Sequence, residues 1–243
     1  MKKLLTVLMV VTSLVTFAQN DAVINDANAQ QRNLKESFSA ISVTDGIDLY
    51  LTKGSQESIA VSASDDKYFE RYKTEVENGV LKIYYDNKGI NWTGNEKRKL
   101  KAYVSFKTLQ KINASGGAAV IMKSVLAVNK MQCTFTSGSR FTGEVNIGEM
   151  DIAENSGALI DITGKAANLK IDASSGSVFK GYELASDYCS AKASSGGSIR
   201  INVNKELNVK ASSGGGIRYK GNGVIKEMDV SSGGNVKKGY DNF

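Results

Sequence analysis

The sequence predicts an all-β fold: a single-chain parallel β-solenoid (β-helix) of about seven turns, preceded by an irregular, strand-rich N-terminal portion. Three observations carry this. A Ser-Gly phrase returns every 18 to 21 residues through the second half of the chain, as in "DASSGSVF", "KASSGGSI" and "VSSGGNVK". Apolar and polar residues alternate on both sides of it, the two-residue period of a strand. The chain holds 24 glycines and no proline, a composition suited to repeated tight corners and not to a stalk.

The corners come first. Their glycines are Gly117, Gly138, Gly157, Gly176, Gly196, Gly214 and Gly233, at intervals of 21, 19, 19, 20, 18 and 19 residues. Three residues after each stand Val120, Phe141, Ile160, Phe179, Ile199, Ile217 and Val236; five before stand Ile112, Cys133, Ile152, Ile171, Ala191, Val209 and Met228. Three before are Ala114, Phe135, Ala173, Ala193, Ala211 and Val230, with Glu154 the one break. Each repeat therefore reads strand, corner, strand. Such a unit cannot bury a face alone and must stack on its neighbours. Leucine-rich repeats and calcium-binding nonapeptides lack their signatures here, and intervals of 19 and 20 break a hexapeptide rule. An irregular β-helix remains.

Glycine takes positive φ at little cost. Gly176, Gly196 and Gly214 are accordingly expected where no Cβ fits. The serines beside them bond locally to turned backbone, and stacking is expected to align Ser175, Ser195, Ser213 and Ser232 into a column of linked hydroxyls. A nucleophile needs one activated residue, not seven near-copies, so the serines read as structural.

Ahead of the repeats, residues 1–18 read as a signal peptide: Lys2 and Lys3, an apolar run from Leu4 to Phe17, and a cleavage site at Thr16-Phe17-Ala18. The run is short of the roughly 20 residues a spanning helix needs. No later segment could span a bilayer, so no transmembrane segment is expected after signal removal. Residues 19–36 are polar and aperiodic, a flexible lead-in. Residues 37–107 form the N-terminal portion, with strands in "SFSAISV", "GIDLYLTKG", "ESIAVSAS", "GVLKIYYD" and "LKAYVSF". One or two helical turns are expected in "DDKYFERYKTEV" (65–76), capped by Asp65 or Asp66. The solenoid runs over 108–240, with 37–240 as one continuous domain. Tyr68, Phe69, Tyr72, Tyr84 and Tyr85 make an aromatic-rich region that reads as core before it reads as a sugar platform. Trp92 differs: it lies in the polar loop "NKGINWTGNEKRK", where ligand binding and packing stand level.

Cys133 and Cys189 fall three turns apart, about 14 Å at strand spacing, too far for a disulfide. They read as buried thiols. With no histidine in the chain, Ser-His catalysis and the commonest metal ligand are absent. No metal and no cofactor are expected.

The phrases "GIDLYLTKGSQESIAVSASDD" (46–66), "VENGVLKIYY" and "KAYVSFKTLQKINASGG", followed by serial Ser-Gly corners, resemble the putative auto-transporter adhesin, head GIN domain family from about Ser37 to Lys238. The resemblance implies a β-helical head, a periplasmic or cell-surface role in Bacteroidetes-like bacteria, no enzyme activity and no established catalytic residues.

Charge supplies the candidate site. Residues 19–164 carry 17 basic and 18 acidic side chains, residues 165–243 carry 12 and 7. Four residues after successive corner glycines stand Lys180, Arg200, Arg218 and Lys237, next to an inward apolar position and hence outward. Stacked, they make a stripe about 14 Å long. It is either a dock for an anionic polysaccharide or another envelope component, or a solvated face. Nucleic acid is not expected, since no reader module accompanies the charge. Three classes of function stay open: a non-catalytic, exported, adhesin-like or surface-polysaccharide-binding module in the periplasm, at the cell surface or outside the cell; a polysaccharide-acting enzyme; a ligand-free scaffold. An enzyme needs paired carboxylates, and Asp151, Glu154, Asp161 and Asp172 fall in different columns.

Overall fold

The structure is a computed structural model that describes residue 24 and residues 26–89 and 97–239. The signal-peptide segment and Trp92 lie outside the described residues. Within them the chain is β throughout, apart from one 3-10 turn at Asp66–Tyr68.

Strands β1 (Gln30–Arg32), β2 (Ala40–Val43), β3 (Asp48–Lys53), β4 (Ser58–Ser62), β5 (Tyr72–Glu77), β6 (Val80–Tyr85) and β7 (Lys101–Phe106) make the N-terminal portion. The coils follow as β8 (Lys111–Ala114), β9 (Ala119–Met122), β10 (Leu126–Phe135), β11 (Arg140–Glu154), β12 (Leu159–Ala173), β13 (Val178–Ala193), β14 (Ser198–Ala211), β15 (Gly216–Lys220), β16 (Val224–Val230) and β17 (Asn235–Lys238). All pairings among β8–β17 are parallel, and the register stacks the columns read from sequence: Ile112 on Cys133, Cys133 on Ile152, Phe141 on Ile160, Phe179 on Ile199, Ile199 on Ile217. This is the parallel solenoid the repeats demand.

The N-terminal portion is not a separate layer. β2 pairs in parallel with β8, and β3 with β9, so these two strands and the corner between them form a first coil. On its other side lie β6 against β2 and β7 against β3, also parallel. β4 adds to β7 and β5 to β6, both antiparallel. The five expected strands are all present. Two were missed. β1 pairs with β4 inside the stretch read as flexible, where Tyr103 Oη also donates to Asp26 at 2.8 Å. β5 occupies the second half of the segment read as helical. There Asp65 does cap the short turn, accepting from the Lys67 amide at 3.0 Å, but the turn ends after Tyr68 and Tyr72 already belongs to a strand.

The corners differ from expectation in an instructive way. Serine as well as glycine is left-handed: φ is 52° at Ser156, 50° at Ser175, 48° at Ser195 and 49° at Ser213, each followed by a glycine near 74°. Two consecutive positive φ values make a type I′ turn, closed by the Ser177 amide on the Ser174 carbonyl at 3.1 Å and the Gly197 amide on the Ser194 carbonyl at 2.8 Å. The linked hydroxyl column does not form. Corner joins corner through the backbone instead, with the amides of Gly157, Gly176 and Gly196 donating to the carbonyls of Ser175, Ser195 and Ser213 at 3.1, 3.2 and 3.2 Å. The serine hydroxyls stay exposed. An eighth corner heads the column: Asp45 and Gly46 are left-handed, and the Gly46 amide donates to the Gly116 carbonyl at 2.9 Å.

Nor is Gly196 closed to a Cβ: nothing lies within 4 Å of one built there. The tight position is the next, Gly197, where an added Cβ would sit 2.4 Å from the Ala173 carbonyl oxygen. Earlier coils place Ala118, Ser139, Ala158 and Ser177 there, all buried. The core is one continuous cluster from Phe38 to Ile217. Phe135 and Phe141 stack across a coil with centroids 5.3 Å apart. Tyr68, Tyr72 and Tyr85 are buried in it, so they are core. Cys133 and Cys189 are buried free thiols, and desolvation pushes Cys189 up to about 12, leaving little reactive thiolate.

Candidate functional site

The solenoid has two long walls that meet at the corner column. On the wall after the corner, Phe179, Ile199 and Ile217 point inward and are fully buried. Strand alternation then sends Lys180, Arg200 and Arg218 outward. The register stacks Lys180 on Arg200, Arg200 on Arg218 and Arg218 on Lys237 across four successive coils. The predicted stripe is therefore in register; Trp92, the other candidate, lies outside the described residues.

The neighbours of the stripe give it its character. Lys180 pairs with Asp161, one coil earlier, at 3.9 Å. Arg200, Arg218 and Lys237 make no ion pair among the described residues. The wall before the corner is built the other way. There Lys130 meets Glu149 at 3.1 Å, Lys170 meets Asp151 at 3.7 Å, Lys192 meets Asp172 at 3.2 Å and Lys210 meets Asp229 at 2.6 Å, each pair one coil apart. Both walls stack cation on cation, but where Lys192 lies on Lys210 each lysine has a carboxylate on its other side, Asp172 and Asp229, and the row of four cations on the other wall has only Asp161 at its head. Like charges directly opposite on adjacent strands are unfavourable, and a counter-charge beside them would relieve the repulsion.

Traced upward, the same outward column runs through Asp161, Thr142, Ile121 and Tyr50 to Tyr103. Tyr50 and Tyr103 stack with centroids 5.1 Å apart, and Lys123 lies 5.1 Å over the Tyr50 ring. Sequence reasoning missed this aromatic end because "DLYLTK" and "KAYVSF" lie outside the repeat and some fifty residues apart. Their alternation put both tyrosines outward, but only the pairing puts them in one column.

A groove of about 1220 Å³ runs along the opposite wall, between the outward residues Lys130, Glu149, Asn168 and Tyr188 and the next outward column of Gln132, Asp151, Lys170 and Ser190. None of the four stripe residues lines it. The acids considered for catalysis do not converge. Asp151, Asp161 and Asp172 each face a lysine of the next coil, and Glu154 points into the core, where desolvation pushes its carboxyl up to about 8.

The model of the family described as "Putative auto-transporter adhesin, head GIN domain" matches residues 37–223, more than half of the chain. The chain belongs to this family. Solved structures share its fold. A putative adhesin of Bacteroides fragilis NCTC 9343 superposes with a TM-score of 0.75 at 16% identity, covering 86% of this chain and 95% of that one. A putative adhesin of Parabacteroides distasonis ATCC 8503 gives 0.69 at 18%, covering 87% and 96%. A structure from the same organism described as a putative lipid binding protein gives 0.61 at 20%, covering 87% and 97%. A search among curated proteins finds no match. The β-solenoid is the form this head GIN domain takes.

Proposed function

We propose that this head GIN chain is a non-catalytic, exported envelope module that holds an anionic polysaccharide, or another acidic envelope component, along the stripe of Lys180, Arg200, Arg218 and Lys237. The observation that supports it is the contrast between the walls: three stacked cations without carboxylate partners on one, paired lysines on the other. A uronic-acid chain lying across the coils would set one negative group against each cation, with the Tyr50–Tyr103 stack as an apolar platform at the far end. The signal-peptide pattern at Lys2–Ala18 and the adhesin-type family support export. The lack of histidine and of a convergent carboxylate pair supports a binding role over hydrolysis.

The test is affinity for polygalacturonate against ionic strength. Binding driven by release of counter-ions weakens steeply with salt. Arg200→Glu with Arg218→Glu is expected to lower affinity at least tenfold and to flatten the salt dependence, with the melting temperature little changed. Lys192→Glu with Lys210→Glu, the same charge change on the other wall, is expected to leave affinity near wild type. Equal losses in the two variants, or salt-independent binding, would count against the stripe. Release of reducing ends or unsaturated products from the polymer would count against the non-catalytic reading.

A further inference from the structure

We infer that the C-terminal end of the solenoid is a self-association surface that joins two copies of this chain end to end about a two-fold axis. In the inner coils the inward columns are closed: Ile171, Ala191 and Val209 are at most 3% exposed, and Ala173, Ala193 and Ala211 are at 0%. The last coil continues both columns with Met228 and Val230, which are 53% and 45% exposed. Solenoid ends are ordinarily covered by a polar cap, and here the inward positions of β16 stay apolar.

Among the described residues the edge is open as well as greasy, since β16 and β17 each pair on one side. The amides of Ser231, Asn235 and Gly239 donate back to the Ala211, Gly215 and Tyr219 carbonyls. Since backbone groups point to alternate sides along a strand, the inward residues Met228, Val230 and Val236 present theirs to the free side. An open edge of this kind is a template for another strand.

A second copy fits that template, and one arrangement of it does. The first coil has no free edge for a head-to-tail neighbour, because β6 and β7 cover β2 and β3. Two C-terminal ends can meet. A two-fold axis through the corner, along the bisector of the walls, lays β16 of one copy on β17 of the other. β16 runs toward the corner and β17 away from it, so the contact is antiparallel. Setting Val230 opposite the partner's Val236 keeps inward residues inward and lets both exchange the free backbone bonds. Asp229 then faces the partner's Lys237. β16 carries Lys226, Glu227 and Asp229, β17 carries Lys237 and Lys238, and in this register the charges that meet are Asp229 and Lys237, with Lys238 opposite Met228. The symmetry operation brings acid onto base twice. It also closes after two copies, since a C₂ contact uses up the surface that makes it.

The experiment is sedimentation equilibrium of the full chain without polyanion, over a range of concentrations. Wild type is expected to reach a dimer and stop there. Met228→Lys with Val230→Lys is expected to be monomeric at every concentration while melting no lower than wild type measured in dilution. Asp229→Lys and Lys237→Glu are each expected to weaken the dimer, and the two together in one chain to restore it. Ser232→Cys, whose corner stacks on the partner's corner, is expected to cross-link on oxidation. Ser175→Cys, an equally exposed corner three coils away, is not. Monomeric wild type, growth past two copies, a dimer untouched by the edge variants, or equal cross-linking at positions 175 and 232 would each overturn the inference.

Discussion

Position 154 belongs to an inward column that also holds Ala114, Phe135, Ala173, Ala193, Ala211 and Val230, and it carries a carboxyl group that is 1% exposed with neither oxygen hydrogen-bonded. Burial disfavours the ionised form, raising its pKa from 4.5 to about 8. The folded state therefore binds more protons than the unfolded state between those values. Stability from this group is full below about pH 4.5, falls as pH rises, and is gone above about pH 8. The whole effect is of order a few kcal/mol. Glu154→Gln, which cannot ionise, is expected to flatten that fall and to melt higher than wild type at pH 9; an unchanged difference between the pH 5 and pH 9 melting temperatures would place the carboxyl in water. The sequence showed this residue as the one break in its column, but alternation alone could not say whether the side chain turned in or the strand gave way. The corner glycines make a second test at this scale. Gly196 has open space and φ of 75°, so Gly196→Ala is expected to cost about 1–2 kcal/mol of left-handed strain and no more. Gly197→Ala must push a methyl against the Ala173 carbonyl at 2.4 Å and is expected to cost clearly more in urea unfolding. The reverse order would mean the coils yield easily along the axis.

Among the elements, those with a local signature were legible and those built from distant partners were not. A type I′ turn is specified by two adjacent residues, so seven corners could be counted from Ser-Gly phrases alone. The eighth, Asp45-Gly46, carries the same backbone with different letters and lies about seventy residues from the next corner. Six strands, β3 to β8, lie between them and had to fold before it could join the column. β1 is three residues of polar chain with no alternation to read, and only its pairing with β4 makes it a strand. The stripe was legible because its spacing is the repeat itself. The ladder of paired lysines on the other wall has the same spacing, yet the contrast between the two walls emerges only once the register sets acid beside base. Those pairs hold little of the fold. Lys192 and Lys210 have side chains 50% and 56% exposed, and pairs that open to solvent are worth about 0–1 kcal/mol. Lys192→Ala and Lys210→Ala are each expected to stay within about 1 kcal/mol of wild type, with any effect vanishing at high salt; a larger loss would mean the ladder clamps the coils together.

Across the whole molecule, stability is a nearest-neighbour sum along one axis, because each coil touches only the coils beside it. The middle coils have two neighbours, the last has one, and the N-terminal end is closed by β4, β5, β6 and β7. Stability should therefore be lowest at β16 and β17, where the inference of a dimer also falls. Two apolar truncations test this gradient. Phe135 is fully buried, sits between Ala114 and Glu154 in its column and stacks on Phe141, so its loss leaves a hole that coils on both sides must line. Phe135→Ala is expected to cost about 3–5 kcal/mol. Met228 is half exposed at the open end, and Met228→Ala is expected to cost under about 1 kcal/mol. Both belong in a Val230→Lys background, since a partner copy bound only to the folded state would add its own free energy to every value. In that background, amides of residues 224–238 should exchange with solvent fastest among the coils and those of β11 and β12 slowest. Uniform protection, or comparable losses from the two truncations, would mean that the coils unfold as a single block and that the end is no weaker than the middle.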